Sequence, residues 1–252
     1  MSKIIRTHVI ASSALVLFFF LVLPRPSNAT PIVIFGDMAG STAGLGDFQG
    51  TLTYTPDPMD TGAATLEIVL TNTTPLTTGG FLTAFALNNP GGITGITLDT
   101  PATFTAFRLL GSPSFNNGVD ADPFGNYDFG ASATSIGMPP GTPDWLAGGT
   151  VGNGMPAGSM ETFTFNLTGT ALNLLNELSF VHALPTGMQG ECCDEFMVVR
   201  FRGIPDPVPG GETNVSDKVP TNFVAPVPEP STMFLLASGL VGLVLWNRRR
   251  KS

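Results

Sequence analysis

Histidine, cysteine, tyrosine and tryptophan each occur only twice in the 252 residues, and charged residues make up just 12%. His8 lies in an N-terminal segment read below as removed, which leaves His182. A hydrolase constellation needs a nucleophile, a base and an orienter together. Ser179 stands three residues before His182, but no Gly-x-Ser-x-Gly elbow accompanies them. A zinc site needs several His or Cys at ligand spacing, and these are missing. No glycine-rich phosphate loop opens a helix after a strand, and no repeat of 20–50 residues marks a solenoid. Basic residues are scarce in the body of the chain. Between Thr30 and Pro230 only Arg108, Arg200, Arg202 and Lys218 stand against all 19 acidic residues, a net charge of −15. Such a surface repels nucleic acid and anionic lipid and suits cations or secreted solubility. A DNA or RNA role is excluded, and no enzymatic activity is expected.

What the chain does have is an apolar run at each end. Lys3 and Arg6 precede a mainly apolar stretch of thirteen residues, Ala11 to Leu23, and Ser27-Asn28-Ala29 follows with small residues. This is the pattern of a secretory signal peptide, residues 1–29, cut by signal peptidase between Ala29 and Thr30. At the other end, Val227-Pro228-Glu229-Pro230 leads into sixteen uncharged positions, Ser231 to Trp246, and a basic tail at 247–252. A helix of that length reaches roughly 24 Å, short of a hydrocarbon core of about 30 Å but able to cross by thinning the bilayer. Arg248, Arg249, Arg250 and Lys251 are expected to stay on the cytoplasmic side. The two prolines disfavour helix and hold the motif extended at the membrane face.

Val227 to Pro230, the apolar segment and Arg248 to Arg250, in that order, resemble the PEP-CTERM sorting signal of Gram-negative bacteria. The resemblance implies recognition by an exosortase, a membrane-embedded transpeptidase-like enzyme, with cleavage near Pro-Glu-Pro. It implies a precursor anchored in the inner membrane facing the periplasm, then a surface or extracellular product. The other reading is a plain tail anchor with a proline-rich neck.

Removing both ends leaves about 200 residues, enough for one sandwich-sized domain. Short strands between turn clusters are predicted at 32–35, 48–54, 64–71, 81–87, 93–98, 103–110, 127–136, 160–167, 180–184 and 196–201. Asn88-Asn89-Pro90-Gly91-Gly92 is a turn signal. Thr170 and the spacing of Leu172, Leu175 and Leu178 predict one short helix over 171–179. The fold class is therefore mainly β, an antiparallel β-sandwich of Ig-like or jelly-roll type, over residues 30–203. Residues 204–226, rich in Pro, Gly and polar residues, read as a stalk before the sorting signal at 227–252. Phe124 to Ser132, Glu161 to Phe165, Val199 to Gly203 and Ser216 to Pro220 resemble blocks of a PEP-CTERM-anchored ectodomain group, which implies no activity.

Two clusters are candidate sites. Asp120, Asp122, Asn126 and Asp128 put oxygen ligands on a Gly-containing loop, suiting Ca²⁺. Read as an EF-hand, however, the loop has Phe124 and Ala131 where ligands belong, so an Asx-rich turn is the competing reading. Cys192 and Cys193 read as a strained vicinal disulfide, an intermolecular one or plain thiols, and the carboxylates of Glu191, Asp194 and Glu195 disfavour a thiolate. Asn72, Asn166 and Asn214 match glycosylation sequons. Thr-x-Thr steps at 51–55, 103–105 and 162–164 read as threonine in half-exposed strands. The chain is thus expected to be an exported, non-enzymatic surface or matrix protein, a possible companion of exopolysaccharide. The alternatives are a Ca²⁺-dependent carbohydrate-binding module and a secreted polysaccharide hydrolase or lyase.

Overall fold

The computed structural model describes residues 29–111, 114–134, 145, 150–186, 195–205 and 215–225. The signal segment up to residue 28, Cys192, Cys193, Asn214, the sorting motif, the apolar segment and the basic tail lie outside the described residues.

The described chain is mainly β. Its strands are β1 (Ile32–Gly36), β2 (Phe48–Pro56), β3 (Ala63–Asn72), β4 (Phe81–Leu87), β5 (Ile93–Leu98), β6 (Phe107–Gly111), β7 (Val119–Asp120), β8 (Asn126–Tyr127), β9 (Phe129–Ala133), β10 (Met155–Pro156), β11 (Met160–Gly169), β12 (Met197–Ile204) and β13 (Val215–Val224). All pairings are antiparallel. Eleven strands form one sheet in the order β5-β11-β3-β2-β1-β13-β12-β4-β9-β6, with β10 added beside β4; β7 and β8 pair separately.

This sheet folds over on itself like a flattened barrel, so its two halves form the expected two layers. Strands β5, β11, β3, β2 and β1 face β13, β12, β4, β9 and β6. The alternation is clean in the first half. In β3, Ala64, Leu66, Ile68, Leu70 and Asn72 are buried while the intervening residues face outward, as a strand with one solvated side requires. Rings meet across the interior: Phe163 of β11 lies 4.9 Å from Phe85 of β4 and 5.0 Å from Phe107 of β6, and Phe165 lies 5.6 Å from Phe129 of β9. These edge-to-face contacts add to the area the rings remove from water.

The two halves are hydrogen-bonded to each other along one seam. Val33, Ile34, Phe35 and Gly36 of β1 pair with Val224, Phe223, Asn222 and Thr221 of β13. The segment read as a stalk therefore contains a ten-residue strand inside the sheet, and the domain extends at least to Val224. Pro220 looked like a spacer residue. Here it is buried within the strand, together with Asp217, Val219 and Thr221.

Strand β4 is buried on both faces, with only Phe81 partly exposed. Its outer side, Ala84 and Ala86, joins Val198, Leu110, Val119, Ala121, Phe124, Tyr127 and Trp145 in a second apolar cluster. The segment 114–128 thus lies as a cover over the second half of the sheet.

Two local expectations are corrected. The predicted helix over 171–179 and strand over 180–184 are replaced by a 3-10 turn, Leu172–Leu174, and one α-helix, α1 (Glu177–Val181). The reason is a capping box at Asn176 and not at Thr170. The Asn176 side chain accepts from Ser179 N at 3.1 Å, and Asn176 N donates to Ser179 Oγ at 3.1 Å, which starts the helix there. The strand predicted from Thr103 begins only at Phe107, because Thr103 N and Phe104 N each donate to Glu161 Oε2 at 2.7 Å. Those amides are unavailable to a ladder.

Because β13 joins the layers, a chain ended after Gly203 loses the seam and exposes the facing edges of β1 and β12. Calorimetry is expected to show a cooperative thermal transition for residues 30–225 and none for residues 30–203.

Candidate functional site

The chemistry of the domain is concentrated in its carboxylates, and the most buried among the described residues is Asp217 on β13, fully shielded from solvent. The glycine-rich loop after β1 wraps around it. Asp217 Oδ1 accepts from Ser41 Oγ (2.7 Å), Thr42 Oγ1 (3.0 Å) and Ala43 N (2.8 Å), and Oδ2 accepts from Leu45 N and Gly46 N (both 2.8 Å). Five donors aimed at one buried carboxylate replace the water it lost. Glycine is required twice in this wrap. Gly44 takes φ +66°, and a Cβ on Gly46 would stand 2.4 Å from Phe201 Cδ2, so only glycine lets the backbone come this close. Further bonds tie the loop to β13: Asp37 N to Pro220 O (2.8 Å), Thr42 N to Lys218 O (3.0 Å) and Lys218 N to Thr42 Oγ1 (2.9 Å). Asp217 was missed because it stood in a presumed stalk. The signal was present: Val215, Asp217, Val219 and Thr221 keep the period of a strand, with an acid on the apolar side.

The candidate cation loop is built differently from its sequence impression. Val119, Ala121, Phe124 and Tyr127 point inward as anchors of the second cluster, and Asp120 and Asn126 pair across the β7–β8 ribbon. Asp128 is nearly buried, and its oxygens accept from Asn89 N (3.0 Å) and Asn117 N (2.9 Å) on two separate loops. Asp120 Oδ1 accepts from Asp122 N at 3.2 Å in an Asx turn. Asn126 N and O both bond to Thr186. Among the described residues no group of three or more His, Cys, Asp or Glu is placed to hold a metal. A cation does lie beside the acids: Lys218 Nζ donates to Asp122 O. Burial pulls the Lys218 ammonium below its ordinary range, as does nearby Arg200, while Asp122 and Asp120 oppose the shift.

The remaining buried carboxylates also hold backbone. Besides Thr103 and Phe104, Glu161 accepts from Thr162 N at 2.9 Å. Glu177 Oε1 accepts from Tyr54 N at 3.1 Å, beyond the point where β1 stops pairing with β2. Tyr54 in turn donates its hydroxyl to Leu172 O at 2.7 Å, and burial pushes its phenol up to about 12. Ser179 Oγ serves the Asn176 cap, and His182 is the exposed C-cap of α1. Both residues thus belong to the frame of this helix.

Two surfaces remain. A cavity of about 350 Å³ is lined by Phe81, Phe104, Thr103, Thr105 and Asn153, with glycine backbone at 152 and 154. The second is the outer face of the first layer. There Thr51, Val69 and Thr162 form one row across neighbouring strands, and Thr55, Thr65, Asn166 and Thr97 form another. Most of the threonine steps that look scattered along the chain come into register on one sheet face, broken by Glu67, Val69 and Asn166. Of the sequons, Asn72 is buried and donates to Met155 O at 2.9 Å, and Asn166 is exposed, donating to Asp99 at 2.8 Å. Ala29 and Thr30 stand in irregular backbone just before β1, with Thr30 exposed.

Comparison with known proteins identifies one feature. Residues 226–250 match the model of the PEP-CTERM protein-sorting motif. No curated protein and no solved structure was found to match the chain.

Replacing Asp217 with Ala leaves three amides and two hydroxyls without their acceptor, a loss of about 3–5 kcal/mol once partial rehydration is allowed. Asp217→Asn is expected to cost nearly as much, because its NH₂ would face the Leu45 and Gly46 amides. Denaturant unfolding checks both. Alkaline pH provides a second measurement. The folded chain keeps the Tyr54 proton up to about 12, whereas the unfolded chain releases it near 10.0. That stabilisation is therefore complete below pH 10 and lost as pH rises to 12. Lys218 acts with the opposite sign, adding stability as pH approaches its ordinary value. The melting temperature is expected to fall above pH 10, and to fall less in Tyr54→Phe.

Proposed function

We propose that this chain is the precursor of a non-enzymatic surface or extracellular-matrix protein of a Gram-negative cell, delivered through exosortase. The observation that carries the reading is the PEP-CTERM motif at residues 226–250, which marks an exported, membrane-anchored precursor processed by exosortase. In the proposed sequence of events, the signal segment directs export and is cut after Ala29. The segment 231–246 then holds the chain in the inner membrane with Arg248 to Lys251 inside and the β domain in the periplasm. Cleavage at Pro228-Glu229-Pro230 releases the domain to the surface.

The non-enzymatic part of the reading is supported by the use of the acids. Asp128, Glu161, Glu177 and Asp217 each accept from backbone amides of another segment, so the polar interior works as a frame. The strongly negative mature domain, with Thr-rich outer strands, suits a soluble polymer-rich surroundings. A second reading, carbohydrate binding, is favoured by the cavity between Phe81 and Phe104, where rings and the Thr103, Thr105 and Asn153 side chains could meet a sugar. It rests on that cavity and not on the Asp120 to Asp128 segment.

Mass spectrometry of the mature protein from cells with and without exosortase tests the first reading. Loss of the C-terminal residues is expected only where exosortase is present, and Glu229→Ala is expected to export normally and remain uncut. A C-terminus at Ser252 in both strains makes this a plain tail anchor. A glycan array probed with the mature chain, with and without Ca²⁺, tests the second.

A further inference from the structure

The chain leaves the domain at a defined place. Val224 ends β13 and pairs with Val33 near the start of β1, so residues 29–31 and residue 225 depart from the same end of the folded sheet. The β2–β3 hairpin, the 3-10 turn and α1 lie at that end as well. Leu172 N donates to Thr61 O (2.9 Å), Gly169 N to Gly62 O (2.8 Å), and the Tyr54 ring lies 5.5 Å from Phe180.

This end is apolar at its tips. Met59 is 94% exposed, Leu174 76%, Val224 54% and Leu178 37%. Met59 is held outward by its own hairpin: Asp57 Oδ1 accepts from Met59 N (2.7 Å) and Asp60 N (3.2 Å), and Asp60 Oδ1 from Gly62 N (2.8 Å). The connection onward is short. Even fully extended, residues 226–231 span no more than about 20 Å before the apolar segment begins. In the anchored precursor, the end carrying these side chains is therefore the part nearest the bilayer.

We propose that this apolar end seats the precursor on the membrane, with Met59, Leu174, Leu178 and Val224 dipping into the lipid interface before exosortase cuts. Side chains of this type enter the boundary between headgroups and acyl chains in proportion to their apolar area. Asp57 and Asp60 flank Met59 and the domain is negative overall, so the surface suits zwitterionic lipid. Seating would also hold the Pro228-Glu229-Pro230 motif at the height of a membrane-embedded protease. The inference rests on the membrane-anchored precursor and is independent of whether the domain binds sugar.

The test uses the full-length chain with Cys192→Ser and Cys193→Ser, reconstituted into phosphatidylcholine–phosphatidylethanolamine vesicles. A polarity-sensitive dye is placed at Met59→Cys or Leu174→Cys, and as controls at Leu76→Cys or Met160→Cys, exposed at the opposite end (79% and 61%). All four positions are exposed, so the core is undisturbed, and far-ultraviolet circular dichroism confirms each fold. Lipids bearing a nitroxide quencher near the headgroup are expected to quench positions 59 and 174 at least about threefold more than 76 and 160. Equal quenching at both ends, or none at 59 and 174, overturns the proposal. Blue-shifted emission at 59 and 174 without lipid quenching also overturns it, since another protein surface would then be the cover. Because cleavage is not measured, failure here leaves the exosortase reading standing.

Discussion

The architecture depends on a buried negative charge surrounded by donors. Asp217 lies on the strand that closes the sheet, and its carboxylate collects the loop that follows the first strand. That contact joins residues about 175 positions apart. It holds β13 against β1 at the seam where the two layers become one sheet. A carboxylate that has left water needs several good donors to be tolerated at all. The requirement works in both directions: the loop has no ordered place without the acid, and the acid has none without the loop. The glycines of the loop serve this approach, since a side chain at position 46 would collide with Phe201.

The same use of charge recurs across the domain. Glu161 delays the start of one strand, Glu177 takes over where β1 stops alongside β2, and Asp128 ties together the turns at Asn89 and Asn117. Each acid meets amides that the ladders leave unpaired, which answers the demand that buried backbone groups find partners. A domain that carries all but one of the chain's 19 acids, and few bases, thus employs part of its negative charge as internal fastening. Sorting is handled elsewhere, by a short motif at the C-terminal end, so fold and destination are written in separate parts of the chain.

Much of the strand pattern was legible because it depends on neighbours. Phe81–Leu87 and Ile93–Leu98 have the bounds their residue types predict, and the alternation in β2, β3 and β11 shows which side is buried. Misreadings arose where a distant group decided. Thr103 to Ala106 have strand-like residues, but the amides of Thr103 and Phe104 go to Glu161. Phe180 and Val181 look like strand and join a helix capped by Asn176 and Ser179. Between the acids at 120–128 stand anchors for the outer face of β4, with Lys218 beside them, a placement that spacing alone does not show.

By itself the sequence determined the β class, most strand positions, the acidic character and the sorting signal, because periodicity, turn residues and a contiguous terminal motif are properties of short stretches. Only the tertiary structure decided that residues 215–224 are a central strand and not a spacer, that Asp217 is fully enclosed, and that threonines from separate strands share one face. Those facts are set by which strands pair across long separations in sequence. Pairing between β1 and β13 is a choice made by burial and hydrogen-bond satisfaction over the whole chain, and no local window contains both partners.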